Sequence, residues 1–271
     1  MKTNKIELLV LDWAGTVLDF GSFAPTTIFV EAFKTEYDFD ISLAEARVPM
    51  GLSKIDHIRS VGQLPEVKQR WIERFGQAMN EEQAQAIYQT FMPLQIAKVA
   101  DHAELIPGTL ETIKWARDNG IKIGSCSGYP QVVMDKLIPV AAANGYQPDC
   151  IVASDNLAAG ARPGPFMALE NVIKLGVSNV SHCVKIDDSA PGISEGLNAG
   201  MWTVGLTLSG NEAGLTRQQF EQASSEELAA ARELAKGKLE QAGSHYLIDT
   251  IADLPSVLED IDRRLSNGEK P

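Results

Sequence analysis

The chain has 271 residues, 44% hydrophobic and 22% charged, with a formal net charge of −12 and a pI near 4.8. That length buries a sizeable core, as one large domain or as one domain carrying an insert. The acidic balance argues against nucleic acid or an anionic membrane as partner, so an anionic substrate needs a local positive site.

The first element is the apolar run Leu8-Leu9-Val10-Leu11, which stops abruptly at Asp12 and continues Trp13-Ala14-Gly15-Thr16. A short apolar run bounded by turn residues reads as a buried strand of a parallel sheet, and open α/β sheets bind ligands at the carboxyl ends of their strands. Gly15 and Thr16 turn the backbone and offer N–H groups and a hydroxyl to an anion. Met1–Lys5 leads into this strand without the apolar region of a signal peptide.

A helix is predicted over Phe23–Tyr37. Between Leu43 and Val99 the pattern holds no strand, only helical stretches over Ser53–Val61, Pro65–Met79 and Glu81–Ala100, broken by Gly62 and Asn80. Pro107-Gly108 marks the return to alternating structure. Strands are predicted at Ile121–Ser125, Cys150–Ala153, Cys183–Ile186 and Trp202–Leu206, with a late strand at Tyr246–Ile248. Helices are predicted at Thr109–Asn119, Gln131–Asn144, Phe166–Leu175, Ile193–Ala199, Glu226–Gln241 and Ile251–Leu265. The alternation implies right-handed βαβ units. The expected fold is therefore α/β: a Rossmann-like parallel sheet core (1–21 and 101–271) with a small all-helical cap domain inserted after the first strand (22–100).

Four polar positions fall just after four strands: Asp12, Ser127 with Gly128, Arg162 before Pro163, and Asp187-Asp188. A parallel sheet gathers them in one crevice. Taken singly, Asp12 is a turn or cap residue, Ser127-Gly128 a turn, Arg162-Pro163 a surface loop and Asp187-Asp188 a helix cap. Their joint order speaks for chemistry: carboxylates suit a hard cation such as Mg²⁺, Arg and Ser suit phosphoryl oxygens, and Asp12 suits nucleophilic attack on phosphorus.

In the insert, Met50-Gly51-Leu52-Ser53-Lys54-Ile55-Asp56-His57 puts Lys54 and His57 on one helix face. An amine nucleophile needs a depressed pKa, which desolvation beside Met50 and Leu52 supplies. Alone, the same residues describe a helix start capped by Ser53 with Lys54 in solvent. Cys126 reads as packing at a strand end. His102, His182 and His245 share no motif.

The loop Asp12-Trp13-Ala14-Gly15-Thr16 resembles the nucleophile loop of the haloacid dehalogenase-like superfamily, Asp-x-Asp-Gly-Thr/Val, except that its second Asp is Ala14. Phosphate-ester hydrolases use that carboxyl to protonate the leaving oxygen. With Met50-Gly51-x-x-Lys54-x-Asp56-His57, Phe20–Pro25, Arg47–Met50 and Asn198–Gly205, the chain resembles the phosphonatase family over nearly its whole length. The resemblance implies a Mg²⁺-dependent homodimer, joined through the cap, that cleaves phosphonoacetaldehyde to acetaldehyde and phosphate. It assigns Asp12, Lys54 and His57 to catalysis, and Ser127, Gly128, Arg162, Met50 and Gly51 to substrate binding. The metal ligands it implies are Asp12, the Ala14 carbonyl and Asp188, with Asp187 a water-mediated ligand or a group behind them. Where many relatives carry a further Asp, this chain has Gly192. A phosphomonoesterase or phosphoglucomutase needs the acid missing at position 14; a dehalogenase needs no phosphate site; a catalytically dead binding module needs neither Asp12 nor Lys54.

Overall fold

The computed structural model describes residues 5–271, so all of the Met1–Lys5 expectation except Lys5 lies outside the described residues. Six strands form one parallel sheet: β1 (Leu8–Leu11), β2 (Lys122–Ser127), β3 (Cys150–Ala153), β4 (Cys183–Asp187), β5 (Trp202–Leu206) and β6 (Tyr246–Ile248). Their order is β3-β2-β1-β4-β5-β6. The chain therefore runs outward from β1 to one edge, then returns to the other side of β1. That reversal places a crevice at the carboxyl end of β1. In register, Leu11 lies across from Ser125 on one side and Ile186 on the other. One step further on, Asp12 comes level with Cys126 and Asp187.

Helices follow β1 first: α1 (Phe23–Tyr37), α2 (Leu43–Arg47), α3 (Lys54–Gln63), α4 (Pro65–Phe75) and α5 (Glu81–Lys98). The remaining helices cover the sheet: α6 (Thr109–Asp118), α7 (Gln131–Ala143), α8 (Phe166–Lys174), α9 (Ala190–Ala199), α10 (Arg217–Gln222), α11 (Ser225–Gln241) and α12 (Leu254–Ser266). Most predicted elements recur within a residue or two. Helix α4 ends at Phe75 instead of Met79 because Gly76 takes a left-handed φ of 79°, where glycine carries no Cβ penalty. The last helix splits, its first turn being a tighter one at Ile251–Asp253. Two short helices were not anticipated, α2 and α10, although each opens on a capping box, Ser42 with Glu45 and Thr216 with Gln219.

The helices of the insert bury a cluster of their own around Phe29, Phe33, Ile58, Trp71, Ile87 and Phe91, separate from the clusters on either face of the sheet. Trp71 is fully buried, edge-on to Tyr37 at 5.2 Å and to Phe33 at 6.3 Å. Replacing it by alanine is expected to remove ~3–5 kcal/mol of stability. Urea unfolding followed by far-UV circular dichroism measures that loss.

Candidate active site

Asp12 is the first residue beyond β1, and its amide donates to the Ile186 carbonyl at 3.1 Å. It is 6% exposed. Its Oδ1 accepts from Arg162 Nη2 at 2.7 Å. That guanidinium also meets Asp187 Oδ2 at 3.2 Å and the Cys126 carbonyl at 3.2 Å, while its Nε donates to Glu195 Oε2 at 2.9 Å. Lys185, fully buried in β4, donates to Asp187 Oδ2 at 2.9 Å and lies 3.3 Å from Glu195. Burial and the neighbouring Arg162 both press Lys185 to lose its proton, but Asp187 and Glu195 outweigh them and raise its pKa. Asp187 is likewise pushed up by burial and pulled further down by Arg162 and Lys185, so it stays ionised. For Asp12, burial works upward against the same Arg162 and wins.

Among the described residues, Asp188 has no cation against it. Its Oδ2 accepts from the Asn211 amide at 2.7 Å, and burial with the charges of Asp12 and Asp187 holds its carboxyl well above the ordinary range. Oxygens of Asp12, Asp187 and Asp188 lie within 4.8 Å of one another. Both oxygens of Asp187 are already engaged, by Lys185 and Arg162 on one and by the Ser189 amide and hydroxyl on the other. Arg162 and Lys185 pair with Asp12, Asp187 and Glu195, and among the described residues Asp188 has no such partner. Hard oxygen donors of this kind are what a divalent cation binds. The backbone is shaped to the same end: Gly15 has φ 78°, and a Cβ there would lie 2.0 Å from Asp188 Oδ2. The residues present therefore fit a hard divalent cation.

Lys54 opens α3, whose N-cap Ser53 accepts from the Asp56 amide. Its ammonium lies 4.7 Å from the centre of the Tyr129 ring and 5.6 Å from that of Phe29. Burial lowers its pKa to about 7, Asp12 opposing the shift and Arg162 adding to it. One cleft is lined by Asp12, Ala14, Met50, Gly51, Lys54, Ser127, Gly128, Arg162 and Asp188, together with Ser22, Pro25 and Tyr129. The insert and the core touch closely here. A Cβ on Gly51 would lie 2.3 Å from Ser189 Oγ, and one on Gly128 would lie 3.1 Å from the Leu52 carbonyl. The space left is about 30 Å³, room for a water or two.

Of the expected site residues, Asp187 and His57 do not line the cleft. His57 is fully buried and stacked on Phe29, ring centres 3.7 Å apart. Its Nε2 lies 2.8 Å from the Ala46 carbonyl; a carbonyl only accepts, so Nε2 carries the proton. Nδ1 then offers a lone pair and has no protein partner among the described residues. Burial, with the nearby Lys54, holds this ring neutral. The other histidines bind elsewhere: His102 to Asp19, His182 to Glu7 and His245 to Thr203. Sequence reasoning missed Lys185, Glu195 and Tyr129. Lys185 left a signal, a charge between apolar Val184 and Ile186 in a buried strand. Glu195 left none.

Strands, crevice and buried carboxylates together define a hydrolase of the haloacid dehalogenase-like class, and the model of the haloacid dehalogenase-like hydrolases matches residues 6–200. Phosphonoacetaldehyde hydrolases of Vibrio cholerae serotype O1 and Aliivibrio salmonicida are 62% and 61% identical to this chain over 271 residues, covering 100% of each chain. The crystal structure of a phosphonoacetaldehyde hydrolase-like protein from Oleispira antarctica superposes with a TM-score of 0.95 at 43% identity, over 99% of this chain and 97% of that one. The chain belongs to the phosphonoacetaldehyde hydrolase family.

Gly192 now has a physical reason. A Cβ there would lie 1.9 Å from the Asp187 carboxyl carbon, and that carboxyl is tied down by Lys185, Arg162 and Ser189. Gly192→Ala is expected to cost ~1–3 kcal/mol through overpacking and to lower turnover by displacing Asp187 from Arg162. Thermal unfolding and phosphate release measure the two effects.

Proposed function

We propose that this protein hydrolyses the carbon–phosphorus bond of phosphonoacetaldehyde, giving acetaldehyde and phosphate, as a step of organic phosphonate catabolism. One observation carries the reading: a buried lysine with a depressed pKa shares a cleft with a strand-end aspartate whose loop has Ala14 where an ester hydrolase needs an acid. A C–P bond has no leaving oxygen to protonate, so the acid is dispensable. It does leave a carbanion, which needs an electron sink.

Neutral Lys54 attacks the aldehyde carbon, the nitrogen passes one proton to the former carbonyl oxygen, and a further proton from solvent lets that oxygen leave as water, so that a protonated imine forms. Asp12 attacks phosphorus; the C–P electron pair flows into the imine, giving an enamine on Lys54 and an aspartyl phosphate on Asp12. Protonation of the enamine carbon and hydrolysis of the imine release acetaldehyde, and water attacking the phosphoryl group releases phosphate and restores Asp12. Arg162, Ser127 and the backbone at Gly128 hold phosphoryl oxygens. Met50 and Gly51 close the cleft over the aldehyde end. His57, neutral with a free Nδ1 lone pair, relays the proton that moves from the Lys54 nitrogen to the departing oxygen and ends neutral as it began.

Asp12, Asp188 and the Ala14 carbonyl would hold Mg²⁺, with Asp187 behind them fixing Arg162. When bound, the ion neutralises charge that builds on the phosphoryl oxygens. We further read residues 22–100 as a cap over a core of 1–21 and 101–271, and the cap as the surface joining two copies in a homodimer. The three cysteines are buried and unpaired, which fits a reducing compartment, and we place the enzyme in the cytoplasm.

Lys54→Arg keeps the charge but cannot form the imine, so turnover is expected to vanish. Borohydride added with acetaldehyde should inactivate the unsubstituted protein and add mass to the peptide containing Lys54; mass on another lysine refutes the assignment. Only the unprotonated amine attacks, so kcat/KM should rise with pH as the amine is freed around pH 7 and fall below it. Chelator treatment is expected to abolish turnover, and Mg²⁺ to restore it. Mg²⁺ alone, without substrate, should raise the melting temperature of the treated protein but not that of Asp188→Ala.

A further inference from the structure

The cleft is too small for any phosphonate, so substrate reaches Asp12 only when the insert lifts from the core. One contact between them leads directly to the site. Arg47, the last residue of α2, donates from Nη1 to the Gly21 carbonyl at 2.7 Å, to the Asn211 side-chain oxygen at 3.1 Å and to the Asn211 carbonyl at 3.2 Å. Asn211 Nδ2 answers by donating to the Arg47 carbonyl at 3.2 Å. The guanidinium also lies 4.6 Å from the centre of the Phe23 ring.

Both partners are tied to the chemistry on their other side. Asn211 is fully buried, and its amide holds Asp188. The Arg47 carbonyl accepts from the Met50 amide at 3.1 Å, so the turn that carries Met50, Gly51 and Lys54 over the cleft is rooted on it. We propose that Arg47 and Asn211 form a clasp that closes the insert and, in the same movement, sets the Lys54 turn on one side of the cleft against Asp188 on the other. They are positioning residues, since neither lines the cleft. The clasp is reversible by construction. Arg47 Nη2 is buried with no protein acceptor among the described residues, and water satisfies that donor when the insert opens.

The proposal rests on the reading of Lys54 and Asp12 as partners across the cleft, and its test separates the two. Asn211→Ala removes the side-chain bonds to Arg47 and keeps the backbone bond to Asp188; Arg47→Ala removes the guanidinium bonds to Gly21 and Asn211 and keeps only the bond from Asn211 Nδ2 to the Arg47 carbonyl. Each is expected to lower kcat/KM for phosphonoacetaldehyde by about tenfold to a hundredfold, the scale on which a misplacement near an ångström acts. The double variant should lose less than the product of the two single losses, because both singles remove the bond from Arg47 Nη1 to the Asn211 side-chain oxygen. In Mg²⁺ buffer without substrate, amide hydrogen exchange over residues 48–56 should be faster in both variants, with exchange in β1 and β4 unchanged. Multiplied losses in the double variant, or unchanged exchange over 48–56, would overturn the clasp. If the unsubstituted protein does not turn over phosphonoacetaldehyde, the functional reading fails while the exchange comparison still decides the clasp. Should Arg47→Ala not fold, Asn211→Ala and Arg47→Lys carry the same comparison.

Discussion

The structure turns on the guanidinium of Arg162. It is buried and binds three carboxylates at once, those of Asp12, Asp187 and Glu195. Ions so buried are tolerable only when each has partners; removing one member of such a set typically costs ~3–5 kcal/mol, because the others are left uncompensated. The arrangement ties the ends of β1 and β4 to helix α9 and to the loop after β3. It also fixes which way Asp12 points. Lys185 completes the set from beneath, sharing Asp187 and Glu195 with Arg162.

Electrostatics divide the cleft in two. The core side is rich in charge, and one carboxylate, Asp188, is left with a hydrogen bond but no cation. The insert side is poor in charge: Lys54 faces Tyr129 and Phe29 and loses hydration without gaining an ion pair. Burial therefore lowers its pKa to about 7, so that about half of the amine is unprotonated at pH 7. The same burial that makes the amine nucleophilic requires the insert to be seated on the core, so in the proposed reaction the cap's closure and the lysine's activation are one event. In the proposed reaction, Arg162 and a cation held by the carboxylates suit an anionic end of the substrate, and the uncharged surroundings of Lys54 suit an aldehyde end.

Helix geometry links these halves. Residues 47 to 54 carry, within two turns of chain, the clasp, the closing glycine and the amine. Gly51 at φ 96° lets the turn lie against Ser189, where any side chain would collide. The loop at Asn211, 49 residues after Arg162, reaches the same carboxylate cluster from the other flank.

What the sequence determined by itself was the order of elements and the identity of the main groups. Apolar runs ending at Asp12 and before Asp187, turn residues at Gly15 and Asn80, and the strand–helix alternation after Pro107 encode a parallel sheet, because burial on both faces demands continuous apolar strands. Ala14 and Lys54, read together, carry the proposed chemistry. Tertiary structure decided what local pattern cannot carry. Glu195 is one polar residue on an ordinary helix until α9 packs on the sheet beneath Arg162. Asp187 and Asp188 are adjacent in sequence, yet one is locked to cations and the other faces the cleft, since successive positions at a strand end point in different directions. His57 reads as a cleft residue from its spacing to Lys54, but packing turns its ring onto Phe29 and binds it to Ala46. The pKa of Lys54 depends on neighbours from β2 and α1, far along the chain, so only the closed fold sets it.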